Sequence, residues 1–144
     1  MSTLPHTYCV TVIGQPEDAL QVEANNLPPL EIAPPENFGG PGDKWSPEEL
    51  LMAAVANCTV LSFRAIARSA HLNWKNIECQ SEGVLERIDR ITRFTHITTH
   101  VKLVLPQGES EDKARRLLEK AEQTCFISRS LACELHFDIE IRFA

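Results

Sequence analysis

The chain lacks the spacings and surpluses that mark several large functional classes. No two of its five cysteines stand closer than Cys125 and Cys133, so zinc-knuckle spacing is absent and no metal is expected. The glycine-rich run Phe38-Gly39-Gly40-Pro41-Gly42 follows neither the Walker nor the dinucleotide pattern and reads as a tight turn. Basic residues are in deficit: Lys+Arg 14 against Asp+Glu 20 gives −6, the wrong sign for a general phosphate-backbone binder, and no nucleic-acid partner is expected. The most apolar stretch, Leu50 to Phe63, is interrupted by Asn57, Thr59 and Ser62 and closed by Arg64. It falls short of the ~20 residues needed to span a bilayer, and no membrane association is expected. The first residues, Met1 to Cys9, show no cationic segment ahead of an apolar core, so no signal peptide is expected. There is no internal repeat and no low-complexity segment. The cysteines, Cys9, Cys58, Cys79, Cys125 and Cys133, are odd in number and scattered, which fits free or catalytic thiols in a reducing cytoplasm better than a secreted scaffold.

What is present is ordinary globular material: 144 residues, 43% apolar and 24% charged. A chain of that size buries roughly two-thirds of its unfolded surface, enough to fold as one domain over 1–144 without staples. Two strands are expected near Thr7 to Ile13 and Ala19 to Ala24. A looped crossing rich in proline and glycine follows from Asn25 to Trp45, with one short strand at Leu30 to Ala33. Ser46-Pro47-Glu48-Glu49 then supplies an N-cap serine, a first-turn proline and a glutamate to close a capping box. The helix it opens runs to about Ala70, roughly 25 residues or ~37 Å. Leu50, Leu51, Ala54, Val55, Cys58, Leu61, Phe63, Ala65 and Ile66 make it apolar nearly all round, the mark of a helix buried on several sides.

Strands at Asn76 to Arg87 and Arg93 to Leu105 come next, with Thr95, Ile97, Thr99, Val101, Leu103 and Leu105 in one phase. A second helix begins near Ser110 with the stripe Ala114, Leu117, Leu118, Ala121 and Cys125, and the chain ends in the alternating strand Cys133 to Phe143. The order is β-β-(β)-α-β-β-α-β, an α+β class with antiparallel sheets.

Cys58 lies mid-helix, with Leu51, Ala54, Val55, Leu61, Ser62 and Ala65 as same-face neighbours. Pattern alone reads Cys58 and Cys125 as small apolar fillers. Both sit on inward faces, and whether their Cα atoms come within the ~4.4–6.8 Å a disulfide requires is left open by the sequence. Cys9, Cys79 and Cys133 read as strand residues, Cys133 with a minor second role as a backup thiol.

The run Phe38-Gly39-Gly40-Pro41-Gly42-Asp43-Lys44-Trp45-Ser46-Pro47-Glu48-Glu49-Leu50-Leu51-Met52-Ala53-Ala54-Val55-Ala56-Asn57-Cys58 resembles the signature of the osmotically inducible protein C / organic hydroperoxide resistance (OsmC/Ohr) family. Ala121-Glu122-Gln123-Thr124-Cys125-Phe126-Ile127-Ser128 looks like that family's second cysteine motif. The resemblance covers nearly the whole chain. It implies an OsmC-like fold, with antiparallel sheets packed on a long buried central helix in an intertwined homodimer whose active sites lie at the subunit interface.

The implied activity is that of a peroxiredoxin-like thiol peroxidase reducing organic hydroperoxides, an antioxidant enzyme of the oxidative stress response. Cys58 would be oxidised to a sulfenic acid, Cys125 would resolve it to a disulfide, and a dithiol would recycle the pair without any cofactor. Glu48 matches the family's active-site glutamate. It lies ten residues before Cys58, ~15 Å along a straight helix, so it is expected to act on the partner subunit's thiol. Its plainer role is to complement the helix dipole. The family's peroxidases carry an arginine ahead of this helix, whereas this chain has none before Arg64. A thiol on an apolar helix face needs a nearby cation to ionise easily. Lys44 is the expected substitute, with Arg64, Arg68, His71 and Arg129 as other candidates. The competing reading is a non-catalytic dimeric protein that keeps the fold and binds a small ligand in an interfacial pocket. A thiol hydrolase is a third, for which no histidine is placed as base. His96 and His100, four apart on a strand, share a face but stand ~13 Å apart, too far to chelate one ion.

Overall fold

The computed structural model describes residues 3–144, which divide into two compact units, the first running to Leu50 and the second Leu51–Ala144. The first unit is a three-stranded antiparallel sheet of β1 (Thr11–Ile13), β2 (Leu20–Glu23) and β3 (Leu30–Ile32), in that spatial order. The strands are shorter than the sequence suggests because the flanking segments make no ladder. After β3 the proline- and glycine-rich segment forms a 3-10 turn at Glu36–Phe38 ended by Gly39, whose φ of 87° is open to glycine at little cost.

Helix α1 (Pro47–Ser69) begins at the expected capping box. The Glu49 N–H donates to Ser46 Oγ at 3.1 Å, and the Ser46 hydroxyl donates to Glu49 Oε1 at 2.7 Å. The helix is longer than the apolar run read from the sequence and, by length and composition alone, is long and apolar enough to cross a membrane. Its buried residues, Val55, Thr59, Phe63 and Ala67, form one stripe at spacings of four. Arg64 and Arg68 are exposed within its last turns. Phe63 and Ala67 belong to the hydrophobic core of the second unit, so α1 serves as a core helix. The sequence suggests burial on several sides, yet only 22% of its most apolar window is buried and Leu61 is 57% exposed.

The second unit carries a sheet in the order β4 (Asn76–Ile88), β5 (Ile91–Leu105), β6 (Glu134–Phe143). Asp89 and Arg90, with φ of 51° and 69°, make a two-residue turn between β4 and β5 whose twist suits an antiparallel hairpin. The inward phase of β5 is the expected one: Thr95, Ile97, Thr99, Val101, Leu103 and Leu105 are all buried. Helix α2 (Glu111–Thr124) is capped by Ser110, which accepts from the Lys113 N–H, and buries Ala114, Leu118 and Ala121.

One ladder departs from the antiparallel expectation, since β6 runs parallel to the central strand β5. The cause is the crossover through α2, which returns the chain to the end of the sheet where β5 began. At Gly83 the sheet meets α1 closely: a Cβ there would fall 2.7 Å from Met52 Sδ and 2.8 Å from the Phe94 ring. Only a residue without a side chain lets helix and strand approach in this way.

Candidate active site

Two elements of the second unit bring thiols together. On α1, Cys58 is half-buried beside the buried Val55 and Thr59, with Ser62 one turn further on in hydrogen-bond reach of its sulfur. The other thiol lies at a break in the chain. The sequence places Cys125 as the last residue of the α2 stripe, but α2 stops at Thr124 and Cys125 adopts an extended conformation (φ −64°, ψ 117°). Thr124 turns its hydroxyl back to the Lys120 carbonyl at 2.8 Å, a local bond that competes with helix continuation. A single turn, α3 (Phe126–Arg129), follows, with the Arg129 N–H donating to the Cys125 carbonyl at 3.0 Å. Arg129 also pairs with Glu122 at 2.9 Å, tying this turn to the end of α2.

Cys125 is completely buried, and its sulfur lies close enough to that of Cys58 for each to act on the other's ionisation. Ser128, itself 4% exposed, donates its hydroxyl to Cys125 Sγ at 3.3 Å. The two sulfurs therefore have different surroundings. Burial pushes the Cys58 thiol up, and its hydrogen bond to Cys125 pushes it further, against smaller opposing effects from the Ile127 backbone and Ser62. Burial also acts upward on Cys125, but donors from Cys58, the Ser128 side chain and the backbone of Ser128 and Ile127 outweigh it. They take Cys125 below the ordinary thiol range. Cys79 on β4 is pushed up to about 11, first by burial and then by the charge of Cys125, so a third thiol lies within electrostatic reach of the pair.

The remaining sequence candidates fall elsewhere. Lys44, in the first unit, has its ammonium 3.9 Å from both Glu31 and Asp43. Glu48 stands in the first turn of α1, and its Oε1 is buried without a hydrogen-bond partner among the described residues. Arg64, Arg68 and His71 are exposed, and Arg129 is committed to Glu122. Cys9 is exposed and Cys133 half-buried. His96 and His100 lie on the outer face of the second sheet, His96 against Glu86 and Glu134 and His100 between Glu82 and Asp138. Among the described residues no three His, Cys, Asp or Glu side chains converge as a metal site.

Ser128 is the residue that sequence reasoning passed over. Its signal was present as Cys-x-x-Ser, a spacing of three that one helical turn brings to the same side. An open groove of about 400 Å³ runs between α1 and α2, lined by Ala65, Ile66, Ser69, Ala70, Leu117 and Lys120. Two of these, Ala65 and Ser69, continue the helix face that carries Cys58.

The sequence matches the OsmC-like protein family over residues 40–140, a span that includes both cysteines and the capping box. The chain belongs to the OsmC-like family. Among curated proteins this OsmC-like chain is 28% identical over 130 residues to the uncharacterised protein YmaD of Bacillus subtilis (strain 168), covering 88% of this chain and 86% of YmaD. Its fold superposes on the OsmC-like protein VCA0330 of Vibrio cholerae with a TM-score of 0.85 at 18% identity, over 94% of this chain and 99% of the other. It also superposes on an organic hydroperoxide resistance protein from Elizabethkingia anophelis with a TM-score of 0.78 at 21% identity, over the full length of both. At these identities the two structures establish a shared α+β fold with two sheets and a long helix.

Proposed function

We propose that this OsmC-like protein is a cysteine-based reductase of organic hydroperoxides, with Cys58 as the attacking sulfur and Cys125 as the resolving one. The observation that carries the reading is the closeness of the two sulfurs, near enough for each to act on the other's ionisation, which brings residues 58 and 125 together. Cys58 is the more exposed of the two, so it is the one an incoming peroxide reaches. Its sulfur attacks the peroxide O–O bond, releases an alcohol and becomes a sulfenic acid. Cys125 then displaces the sulfenic oxygen to form a disulfide, and a dithiol reduces it. Structural neighbours named organic hydroperoxide resistance proteins agree with this class of substrate.

The protein acts in this proposal as a cytoplasmic homodimer without a cofactor, free of membrane and nucleic acid. An apolar α1 left largely uncovered and a first sheet with Val12 and Ile13 more than half exposed both call for a second copy. Glu48 then serves the partner subunit's Cys58, and Lys44, the only lysine or arginine ahead of α1, stands in for the missing arginine.

The test is to treat the reduced protein with one equivalent of cumene hydroperoxide and weigh it intact. Loss of two protons through a Cys58–Cys125 bond is expected, and it disappears in Cys58→Ser and Cys125→Ser. An unchanged mass with all five thiols still reactive rejects the enzyme and favours a dimeric ligand-binding protein.

A further inference from the structure

Cys125 is buried, yet the segment that covers it is weakly anchored. The chain leaves helical geometry at Cys125, and the four residues of α3 are too few to be stable as a helix by themselves. Several of the turn's bonds are internal. The Arg129 N–H donates to the Cys125 carbonyl at 3.0 Å, the Ser130 hydroxyl to the Phe126 carbonyl at 2.7 Å, and the Ser128 hydroxyl to Cys125 Sγ at 3.3 Å. These make residues 125–130 one unit without fastening that unit to α2. Packing adds little, because the buried residue of α3 is the small Ser128, and Phe126, its largest side chain, is 82% exposed. Across the break, the Cys125 N–H reaches the Glu122 carbonyl at 3.4 Å, longer than a good bond of this kind. Arg129 Nη2 donates to Glu122 Oε1 at 2.9 Å, a charge-assisted bond of full strength.

We propose that Arg129 is a positioning residue whose ion pair with Glu122 latches the 125–130 turn against the end of α2 and keeps Cys125 turned inward, beside Cys58 and away from water. Releasing the latch lets the turn swing about the break between Thr124 and Cys125 and presents the Cys125 sulfur to reagents in solution.

The latch is a local opening equilibrium, and the segments that open most readily are those with few buried apolar contacts. Closed, it reserves the Cys125 thiol for Cys58. Open, it leaves that thiol free to meet other thiols and oxidants. The Arg129 side chain is 49% exposed and that of Glu122 only 21%, so the pair is partly sheltered, and breaking it should raise the open fraction about three- to fivefold. The catalytic meaning of the latch rests on the peroxidase reading, whereas the opening equilibrium does not.

Alkylation of the folded, reduced chain with iodoacetamide, a neutral reagent, tests the latch when each cysteine is followed separately by peptide mass. Arg129→Gln should speed the labelling of Cys125 about three- to fivefold and leave that of Cys79, on the inward phase of β4, unchanged. Arg129→Lys should stay near the parental rate. Loss of a cation by itself favours the unreactive thiol form and slows alkylation, so acceleration reports opening. Glu122→Gln should match Arg129→Gln, and the double variant should add nothing further, because both changes break the same pair. Raising salt from about 0.05 M to about 1 M should speed Cys125 in the parent and not in Arg129→Gln. A Cys125 rate that Arg129→Gln leaves in place, or a rise that Cys79 shares, overturns the latch. A chain that alkylates as expected but gives no disulfide with peroxide removes the peroxidase reading and leaves the latch standing, so the two failures are distinct.

Discussion

Joining Cys58 to Cys125 closes a loop of 67 residues (125 − 58), which makes oxidation a measurable stability event. In the chain-entropy account a cross-link of that length removes about 4 kcal/mol of disorder from the unfolded state. The reduced sulfurs already act on each other's ionisation, so the two segments that must be joined are neighbours in the folded chain. For a chain near this length, at roughly 2–4 °C per kcal/mol, the oxidised protein should melt about 8–16 °C above the reduced one. Differential scanning calorimetry on both forms measures the difference, with the redox state of each sample fixed by intact mass. Cys125→Ser should show no oxidation-linked rise. If mass spectrometry confirms the disulfide and the melting temperature is unchanged or lower, the two sulfurs are not arranged in the reduced fold as described and the reasoning fails.

Phe63 is fully buried and its ring centroid lies 5.6 Å from that of Trp74, so Phe63→Ala should cost ~3–5 kcal/mol, read from urea midpoints. A loss below about 1 kcal/mol would show that α1 does not anchor the second unit's core. Ser46→Ala removes the acceptor of the Glu49 N–H and should cost about 1 kcal/mol in the same assay, because the start of α1 loses its cap. Cys79 gives a pH dependence of known sign. Its thiol is raised from 9.0 to about 11 on folding, so the native state favours the protonated form. That contribution is fully present below about pH 9 and is lost as pH rises toward about 11. Denaturation midpoints followed across this range should fall less steeply for Cys79→Ala than for the parent, and equal slopes would refute the burial argument.

Much of the local structure was legible because it depends on neighbours in sequence. The capping box at Ser46, the single inward phase of β5 and the Ser110 cap follow from short-range hydrogen bonding and side-chain period. The parallel ladder between β5 and β6 was not legible, since alternation reports which face is buried and carries no information on strand direction. Nor was the break at Cys125. Thr124 and Phe126 fit a helix nearly as well as a turn, and the choice rests on a side chain bonding back to Lys120 and on an ion pair between Glu122 and Arg129.

By its residue order alone, the chain determined an α+β design, two helices with defined starts, and one cysteine on an apolar helix face with a second at the end of a helical stripe, in a pattern shared with one family. Tertiary structure alone decided what each thiol experiences. Ionisation of a sulfur depends on the donors and water within a few ångströms, and those come from segments far apart along the chain. The contact between residues 58 and 125, the buried hydroxyl of Ser128 and the unequal burial of the two sulfurs exist only once the helices and the second sheet have packed.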